Sequence, residues 1–203
     1  MASEQIDEYY NATEHREPRD VLVRAATRVL DRFEQGVAID CGCGAGSDIR
    51  YLRSRGFEVF GFDLEAESIR RCETEFGNDT NVHLFQSSFT DFDYPAANLL
   101  VADASLFFCP TAEFPEVWGK ISRSLVPGGI FVGGFLGPRD TMASEQYDSA
   151  AFWPDVMTVT EHSLKSILTE FEIVHWVEHE LDGKTAQGED HHWHIFAITI
   201  QKR

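Results

Sequence analysis

The stretch Asp40-Cys41-Gly42-Cys43-Gly44-Ala45-Gly46 contains the residues of this chain that are best suited to bind a ligand. It follows the apolar run 37–39 and precedes a segment with helical spacing at 48–55. A buried strand that enters a helix through a glycine-rich turn forms a nucleotide-type pocket, because glycine lets a ligand approach the backbone closely. The pattern therefore predicts a site for a nucleotide-like ligand at this turn.

The glycine spacing and one carboxylate select among such ligands. A dinucleotide site needs glycine at the first, third and sixth positions, and Ser47 occupies the sixth position counted from Gly42. Asp40 ends the strand, and its carboxylate would repel a pyrophosphate but attract an ammonium group or a sulfonium centre. S-adenosylmethionine (SAM) has both of those cations and no phosphate, so SAM is the predicted ligand.

A second acidic residue, Asp63, supports the same ligand. It follows the strand-like segment 57–62 and lies about 20 positions after Gly42, where dinucleotide-type folds place the acid that binds a ribose. A carboxylate can accept hydrogen bonds from both ribose hydroxyls. Asp63 is alternatively the N-cap of the next helix, and one side chain can serve both roles.

Composition restricts the class of protein. The chain has 203 residues, of which 43% are hydrophobic, which suits one domain with a buried core. A net charge of −17 should repel nucleic acids and anionic membranes, so neither is a predicted partner. No apolar run approaches the ~18 residues needed to cross a bilayer. The polar N-terminus and the four unpaired-looking cysteines indicate a cytoplasmic protein with free thiols and no metal-finger site.

Strand and helix patterns alternate along the chain. Residues 1–36 are predicted to form a helical cap, and residues 37–203 a SAM-binding domain. Predicted strands are 37–40, 57–63, 82–86, 99–102, 130–135, 172–177 and 194–200, and predicted helices are 48–55, 66–76, 114–125 and 163–171. Residues 182–190 are expected to connect the last two strands. The alternation predicts a doubly wound, Rossmann-like α/β fold, with a seven-stranded, mostly parallel sheet, an antiparallel last strand and helices on both faces.

These motifs together resemble the class I SAM-dependent methyltransferases from about Val37 onwards. The resemblance depends on the glycine-rich stretch, Asp63, Ser88-Phe89, the strand 99–102 and Leu125-Val126-Pro127-Gly128-Gly129-Ile130. Short motifs near the two ends, 16–18, 184–186 and 192–194, are similar to the small tellurite-resistance-type methyltransferases. The resemblance implies an enzyme that uses SAM and releases S-adenosylhomocysteine.

The resemblance also implies a role for each matching residue. The methionine part of SAM would lie against Gly42, Cys43, Gly44 and Gly46, with Asp40 near its ammonium and Asp63 at the ribose. Leu64, Ser88 and Phe89 would contact the adenine, and Asp103 would lie between cofactor and acceptor. The family commonly has an acid at the position of Ser88, and a serine accepts a hydrogen bond from the adenine amine more weakly.

The N-terminal segment includes residues suited to a lid. Tyr9 and Tyr10 would supply apolar cover with a polar tip. Arg16 would pair with a carboxylate of SAM or of an anionic substrate, so it is included among the cofactor-binding residues. The alternative for this segment is a solvated tail.

The catalytic residue is left open, because methyl transfer depends mostly on alignment and exclusion of water. The candidates are Asp103 together with His192 and His194, which share one face of a predicted strand. Five histidines between 175 and 194 could also be ordinary strand residues or metal ligands, and we predict no metal site. The aromatic residues Tyr147, Phe152 and Trp153 either wall an apolar pocket or anchor a loop.

Three functions remain in competition. The first is methyl transfer to a small-molecule acceptor by in-line displacement, with an oxygen, nitrogen, sulfur or chalcogen-oxyanion centre as the acceptor atom. The second is a nicotinamide-dependent oxidoreductase on the same fold, and the third is a non-catalytic SAM-binding module. Methylation of DNA bases is disfavoured, because Ala104-Ser105-Leu106-Phe107 follows the fourth strand in place of an Asn-Pro-Pro-Tyr-type loop.

Overall fold

Helices and strands alternate along most of the chain, and its last two strands form a long hairpin. The computed structural model describes residues 2–144, 147, 155–185 and 188–203. The elements are α1 Ala2–Thr13, α2 Asp20–Leu30, β1 Val37–Cys41, α3 Ser47–Ser54, β2 Glu58–Asp63, α4 Ala66–Phe76, β3 Val82–Gln86, β4 Ala97–Ala102, α5 Phe114–Ser124, β5 Leu125–Leu136, α6 Glu161–Ile167, β6 Phe171–Lys184 and β7 Asp190–Lys202. Short 3-10 helices lie at Leu106–Phe108 and Thr141–Ala143.

The strands form one seven-stranded sheet in the order β3-β2-β1-β4-β5-β7-β6. The first five strands pair in parallel, and β7 is antiparallel to both β5 and β6. This confirms the predicted doubly wound sheet with an antiparallel last strand. The strand order reverses between β1 and β4, and ligands of such sheets bind in the crevice at the carboxyl ends of the strands on either side of that point.

Helices cover both faces of the sheet, as predicted. On one face α2, α3 and α4 bury Leu22, Ile49 and Ile69 against the strands. On the other face α5 and α6 bury Ile121 and Leu164. The apolar residues that recur at helical spacing are therefore the ones that fasten each helix to the sheet.

Two boundaries near the end of the chain differ from the prediction. The helix predicted at 163–171 is Glu161–Ile167, because Thr160 caps it by accepting from the Ser163 N–H at 3.1 Å, and Phe171 already begins β6. The connection predicted at 182–190 is shorter than expected, since β6 and β7 stay paired as far as Lys184 and Asp190. Cross-strand ion pairs, such as Asp182 to His192 at 2.7 Å, stabilise this polar extension.

Candidate functional site

The glycine-rich turn after β1 has a backbone that only glycine adopts readily. Gly42, Gly44 and Gly46 have φ values of +72°, +52° and +83°. A side chain at Gly42 would collide with Ser105, and one at Gly46 with Phe76, so packing explains these two glycines. At Gly44 an added Cβ would lie 3.8 Å from the Tyr10 ring and have no other neighbour within 4 Å among the described residues. Gly44 is therefore the point where the backbone is open to a ligand.

Cys43 contributes only backbone to this surface. Its side chain lies in the hydrophobic core below the turn, where Sγ is 3.8 Å from the Ser68 hydroxyl. The Gly42 and Cys43 N–H groups both donate to the Phe62 carbonyl, at 2.9 and 3.0 Å. These bonds fix the turn to the end of β2, next to Asp63.

Asp63 binds the turn directly. Its Oδ2 accepts from the Gly44 N–H at 2.9 Å, and its Oδ1 accepts from the Glu65 N–H at 3.0 Å. Burial raises the pKa of Asp63, and these backbone N–H groups oppose the shift. Each carboxylate oxygen keeps a second lone pair that could accept from a ribose hydroxyl.

The residues predicted at the adenine lie along the neighbouring strand ends. Leu64 is 54% exposed, which is unusual for a leucine and leaves an apolar surface beside Asp63. Phe89 packs edge-on against Phe62, with ring centroids 5.6 Å apart. The Ser88 hydroxyl donates to Asp91 at 2.8 Å and accepts from the Asp91 N–H, so it is engaged within its own turn. Asp91, which the sequence analysis did not identify, supplies an exposed carboxylate at this point.

Two buried carboxylates face the other side of the turn. Asp40 and Asp48 are 4% and 6% exposed, and Asp40 Oδ2 and Asp48 Oδ1 have no hydrogen-bond partner among the described residues. Burial, with repulsion from Asp48, raises the pKa of Asp40 well above its usual value. Burial also raises the pKa of Asp48, and Arg16 opposes that shift.

Unpaired buried carboxylate oxygens are uncommon in folded proteins, because each one costs free energy. A ligand that brings an ammonium group would supply the missing hydrogen-bond donors and neutralise charge. The residues present therefore fit the methionine end of SAM. Asp48 was missed in the sequence, where its position in the first turn of the helix after the glycines was the available signal.

Arginines from the segment between α1 and α2 reach this acidic site. Arg16 donates to Asp48 at 3.0 Å and to Asp103 at 3.3 Å, and the Arg19 guanidinium forms an ion pair with Asp103 at 2.8 Å. Arg16 thus lies beside Asp103, another residue predicted for the site, and its contact with the cofactor stays a prediction. Arg19, which was not identified from sequence, pairs with Asp103, the predicted site residue that follows β4.

Helix α1 covers the turn. Tyr10 is 4% exposed, with its ring over Gly44. Arg71 of α4 fastens the helix, since its guanidinium lies 3.3 Å from both Asp7 and Glu14 and 5.6 Å from the centre of the Tyr10 ring. Residues 2–13 thus form a helix whose Asp7 and Tyr10 contact the rest of the chain, and its role as a lid stays a prediction.

A cavity of about 200 Å³ adjoins Asp103. It lies between the start of α2, the segment after β4 and the neighbouring face of β5, β7 and β6. Its lining includes Arg19, Asp103, Phe107, Gly134, His179 and Ala197. A mostly apolar cavity with a few polar groups is the usual form of a small-molecule site.

The two histidines predicted as catalytic candidates do not line this cavity. His194 is 1% exposed; its Nδ1 accepts from the Arg139 N–H at 3.1 Å, and its Nε2 lies 2.8 Å from Glu178. His192 pairs with Asp182 on the exposed hairpin. The histidine that does line the cavity is His179, which the sequence analysis considered only as a member of the histidine group.

Three further expectations concern a metal site, a membrane-spanning helix and the aromatic residues after β5. Among the described residues, no group of three or more His, Cys, Asp or Glu side chains is arranged to hold a metal ion. The same part of the chain has no helix long and apolar enough to cross a membrane. Phe152 and Trp153, predicted to wall a pocket or anchor a loop, lie outside the described residues.

Comparisons with known proteins agree with this geometry. Residues 38–129 match a family model described as a methyltransferase domain. A carboxy-S-adenosyl-L-methionine synthase from Colwellia psychrerythraea is 26% identical over 120 residues, which are 55% of this chain and 49% of that protein. The chain therefore spans about half the length of this relative.

Solved structures show the same fold. TehB from Haemophilus influenzae superposes with a TM-score of 0.74 at 16% identity, over 92% of this chain and 63% of that one. The N-methyltransferase NodS from Bradyrhizobium japonicum, solved with S-adenosylhomocysteine, has a TM-score of 0.66 at 16% identity, over 98% and 97% of the two chains. Together with the methyltransferase-domain model matched over residues 38–129, these structures confirm the predicted fold and the predicted resemblance to class I SAM-dependent methyltransferases.

Proposed function

We propose that this chain is an enzyme that transfers a methyl group from SAM to a small-molecule acceptor by in-line displacement. The observation that supports it most strongly is a pair of buried carboxylate oxygens, on Asp40 and Asp48, that have no hydrogen-bond partner among the described residues. They lie next to the turn at Gly44, where an added Cβ would lie 3.8 Å from the Tyr10 ring. A site with buried negative charge, no phosphate-binding glycine pattern and a ribose-type acid suits a cationic nucleoside.

Each site residue has a binding role in this proposal. Asp40 and Asp48 receive the ammonium, Arg16 turns from Asp48 to the cofactor carboxylate, and Asp63 accepts from the ribose hydroxyls. The turn Gly42–Gly46, including the Cys43 backbone, faces the methionine part. Leu64 and Phe89 enclose the adenine, and the exocyclic amine is left to Ser88 or to Asp91.

The cavity beside Asp103 is the proposed acceptor site. When bound, SAM would supply an electrophilic methyl carbon to an acceptor lone pair, sulfur would keep the electrons of the broken bond, and an acceptor that carries a proton would release it to solvent. The chain's own residues align the acceptor and exclude water, because the sulfonium is already a good leaving group. Asp103, held by Arg16 and Arg19, lies at the boundary between the two sites.

Residues 1–36 are proposed as a lid over residues 37–203. Tyr10 covers Gly44, and Arg16 binds two acids of the site, so the segment is placed to exclude water when both ligands are present. The net charge of −17 supports a small-molecule acceptor over nucleic acid, and the free thiols support a cytoplasmic location.

A thermal-shift comparison separates this proposal from the oxidoreductase alternative. SAM and NAD are added side by side to the full chain, and SAM should raise the melting temperature by an amount that grows with the logarithm of its concentration. A shift with NAD and none with SAM would show that the cofactor is a nicotinamide.

A turnover assay separates an enzyme from a non-catalytic SAM-binding module. The protein is incubated with methyl-labelled SAM and a panel of small oxygen, nitrogen, sulfur and chalcogen-oxyanion acceptors, and S-adenosylhomocysteine is measured. Release that depends on an added acceptor supports the proposal. Tight SAM binding with no acceptor-dependent release across the panel supports the binding module.

A further inference from the structure

The floor of the cavity beside Asp103 is formed by β5, β7 and β6. Gly134 pairs with Ala197, and Leu136 pairs with Ile195, which in turn pairs with His179. Directly paired residues of an antiparallel ladder point to the same face, and Gly134, Ala197, Ile195 and His179 all line the cavity. Two positions of the floor, Gly134 and Ala197, therefore carry only a hydrogen atom and a methyl group.

Neither the backbone conformation nor close packing requires a glycine at position 134. Its φ is not in the left-handed region, and an added Cβ would have one heavy atom within 4 Å, Ile195 Cγ2, at an ordinary 3.5 Å. The neighbouring Gly133 differs, because a side chain there would enter the Phe131 ring on the other face. A side chain at Gly134 would therefore extend into the cavity.

The charged lining residues Arg19, Asp20 and Asp103 lie after β4 and at the start of α2, and the polar lining residue on β6 is His179. Asp103 and Arg19 form an ion pair at the β4 end. His179 lies on β6, three strand spacings of about 4.8 Å away. Among the described residues His179 has no hydrogen-bond or ion-pair partner, whereas His191, His192 and His194 each face a carboxylate. His179 is thus available to a ligand.

The size of the cavity limits what can lie between these ends. A cavity of about 150 Å³ in another protein accommodates benzene, and this one is about 200 Å³. The side chains that face it between the two polar ends, Val21, Phe107, Val132 and Ile195, are apolar. A single ring that lies flat over Gly134 and Ala197 fits these limits.

We propose that Gly134 determines the specificity of the acceptor site and admits a flat, single-ring acceptor, with its reacting group at Asp103 and a second polar group at His179. This inference depends on the proposed function, because it assigns the acceptor of that same site.

The first test places a side chain on the cavity floor at Gly134. Two nearly isosteric probes, 4-ethylphenol and 4-hydroxybenzyl alcohol, are titrated by NMR into the full chain saturated with S-adenosylhomocysteine. Gly134→Leu should weaken both probes about tenfold or more, and Gly134→Ala less, because the added atoms take the place of the ring. SAM affinity should stay within about twofold, which shows that the variants fold. The control is Gly119→Ala in α5, whose Cβ would meet only the flexible end of Arg123.

The second test addresses the far end of the ring. The wild-type chain should bind the alcohol better than the ethyl compound, and His179→Phe should remove about three- to tenfold of that preference, as for one lost hydrogen bond. His175→Phe, at a histidine of the same strand outside the cavity lining, should keep the preference.

The outcomes distinguish the two proposals. If the Gly134→Leu variant binds both probes as tightly as the wild type does, Gly134 does not limit the acceptor. If the preference for the alcohol is unchanged by His179→Phe, His179 does not contact the acceptor. A wild-type chain that binds SAM but neither probe would overturn the single-ring class and leave methyl transfer standing. A chain that binds no SAM would overturn the proposed function itself.

Discussion

Replacing Asp40 by asparagine should make the ligand-free protein more stable and a poorer binder of SAM. Asp40 is 4% exposed, its Oδ2 has no hydrogen-bond partner among the described residues, and Asp48 repels it. Asparagine keeps the shape and removes the buried charge. Releasing an unsatisfied buried group is worth about 1–3 kcal/mol, which corresponds to a rise in melting temperature of about 2–12 °C for a domain of this size.

The pH dependence of this gain follows from the direction of the pKa shift. The pKa of Asp40 is raised in the folded state, so its contribution to stability is full below the unfolded pKa and is lost as pH rises through the folded pKa. The Asp40→Asn variant should therefore exceed the wild type in stability at pH 8. The two proteins should converge at acidic pH, where the wild-type carboxyl is protonated.

Calorimetry, together with thermal melts from below the unfolded-state aspartate pKa of about 3.9 up to pH 8, would measure both effects. The exposed Asp93→Asn is the matched control. The loss of a charge-assisted contact should lower SAM affinity about 10- to 100-fold. An Asp40→Asn protein that is less stable than the wild type at pH 8, or that binds SAM equally well, would refute the reasoning that this carboxylate is held unpaired for a cationic ligand.

Three further predictions concern the turn and the lid. Asp63→Ala should cost about 2–4 kcal/mol of SAM binding, and calorimetric affinity within twofold of the wild type would remove Asp63 from the ribose site. Gly44→Val should abolish SAM binding in a thermal-shift assay while most of the fold survives, since φ at this position is +52°; unchanged affinity would mean that the turn does not touch the cofactor. Deleting residues 1–16 should lower turnover far more than melting temperature, and hydrogen exchange in residues 5–20 should slow when SAM is added; fast, unchanged exchange with normal turnover would contradict the proposed lid.

The parallel part of the sheet was readable from sequence because its strands are short apolar runs that end at glycine or acid residues. β1, β2 and β3 begin and end within one residue of their predicted limits. The hairpin β6–β7 was underestimated, because residues 178–182 are mostly charged and resemble a loop. Their partners, such as His192 and Arg139, are distant in sequence, so only the folded chain shows why these charges belong to strands.

The residues of the candidate site also divide into those that could be identified from sequence and those that could not. The sequence identified Asp40, the glycines and Asp63, because their spacing along the chain indicates that they lie close together in the fold. Asp48, Arg19 and His179 could not, because each acquires its role from a partner or a cavity that another element supplies. His192 and His194 were attractive candidates for their chemistry alone, and the structure places their rings against carboxylates of β6.

The position of β7 has a consequence for how the protein is made. β7 follows every other strand in the sequence, yet it lies between β5 and β6. Until residues 190–202 have been synthesised, β5 has an unpaired edge, and Phe135 beside it lacks the cover of Phe196. Unpaired, apolar strand edges favour association between chains. The sheet therefore closes late in synthesis, and a nascent chain stalled before residue 190 should depend on chaperones in a way that the finished chain does not.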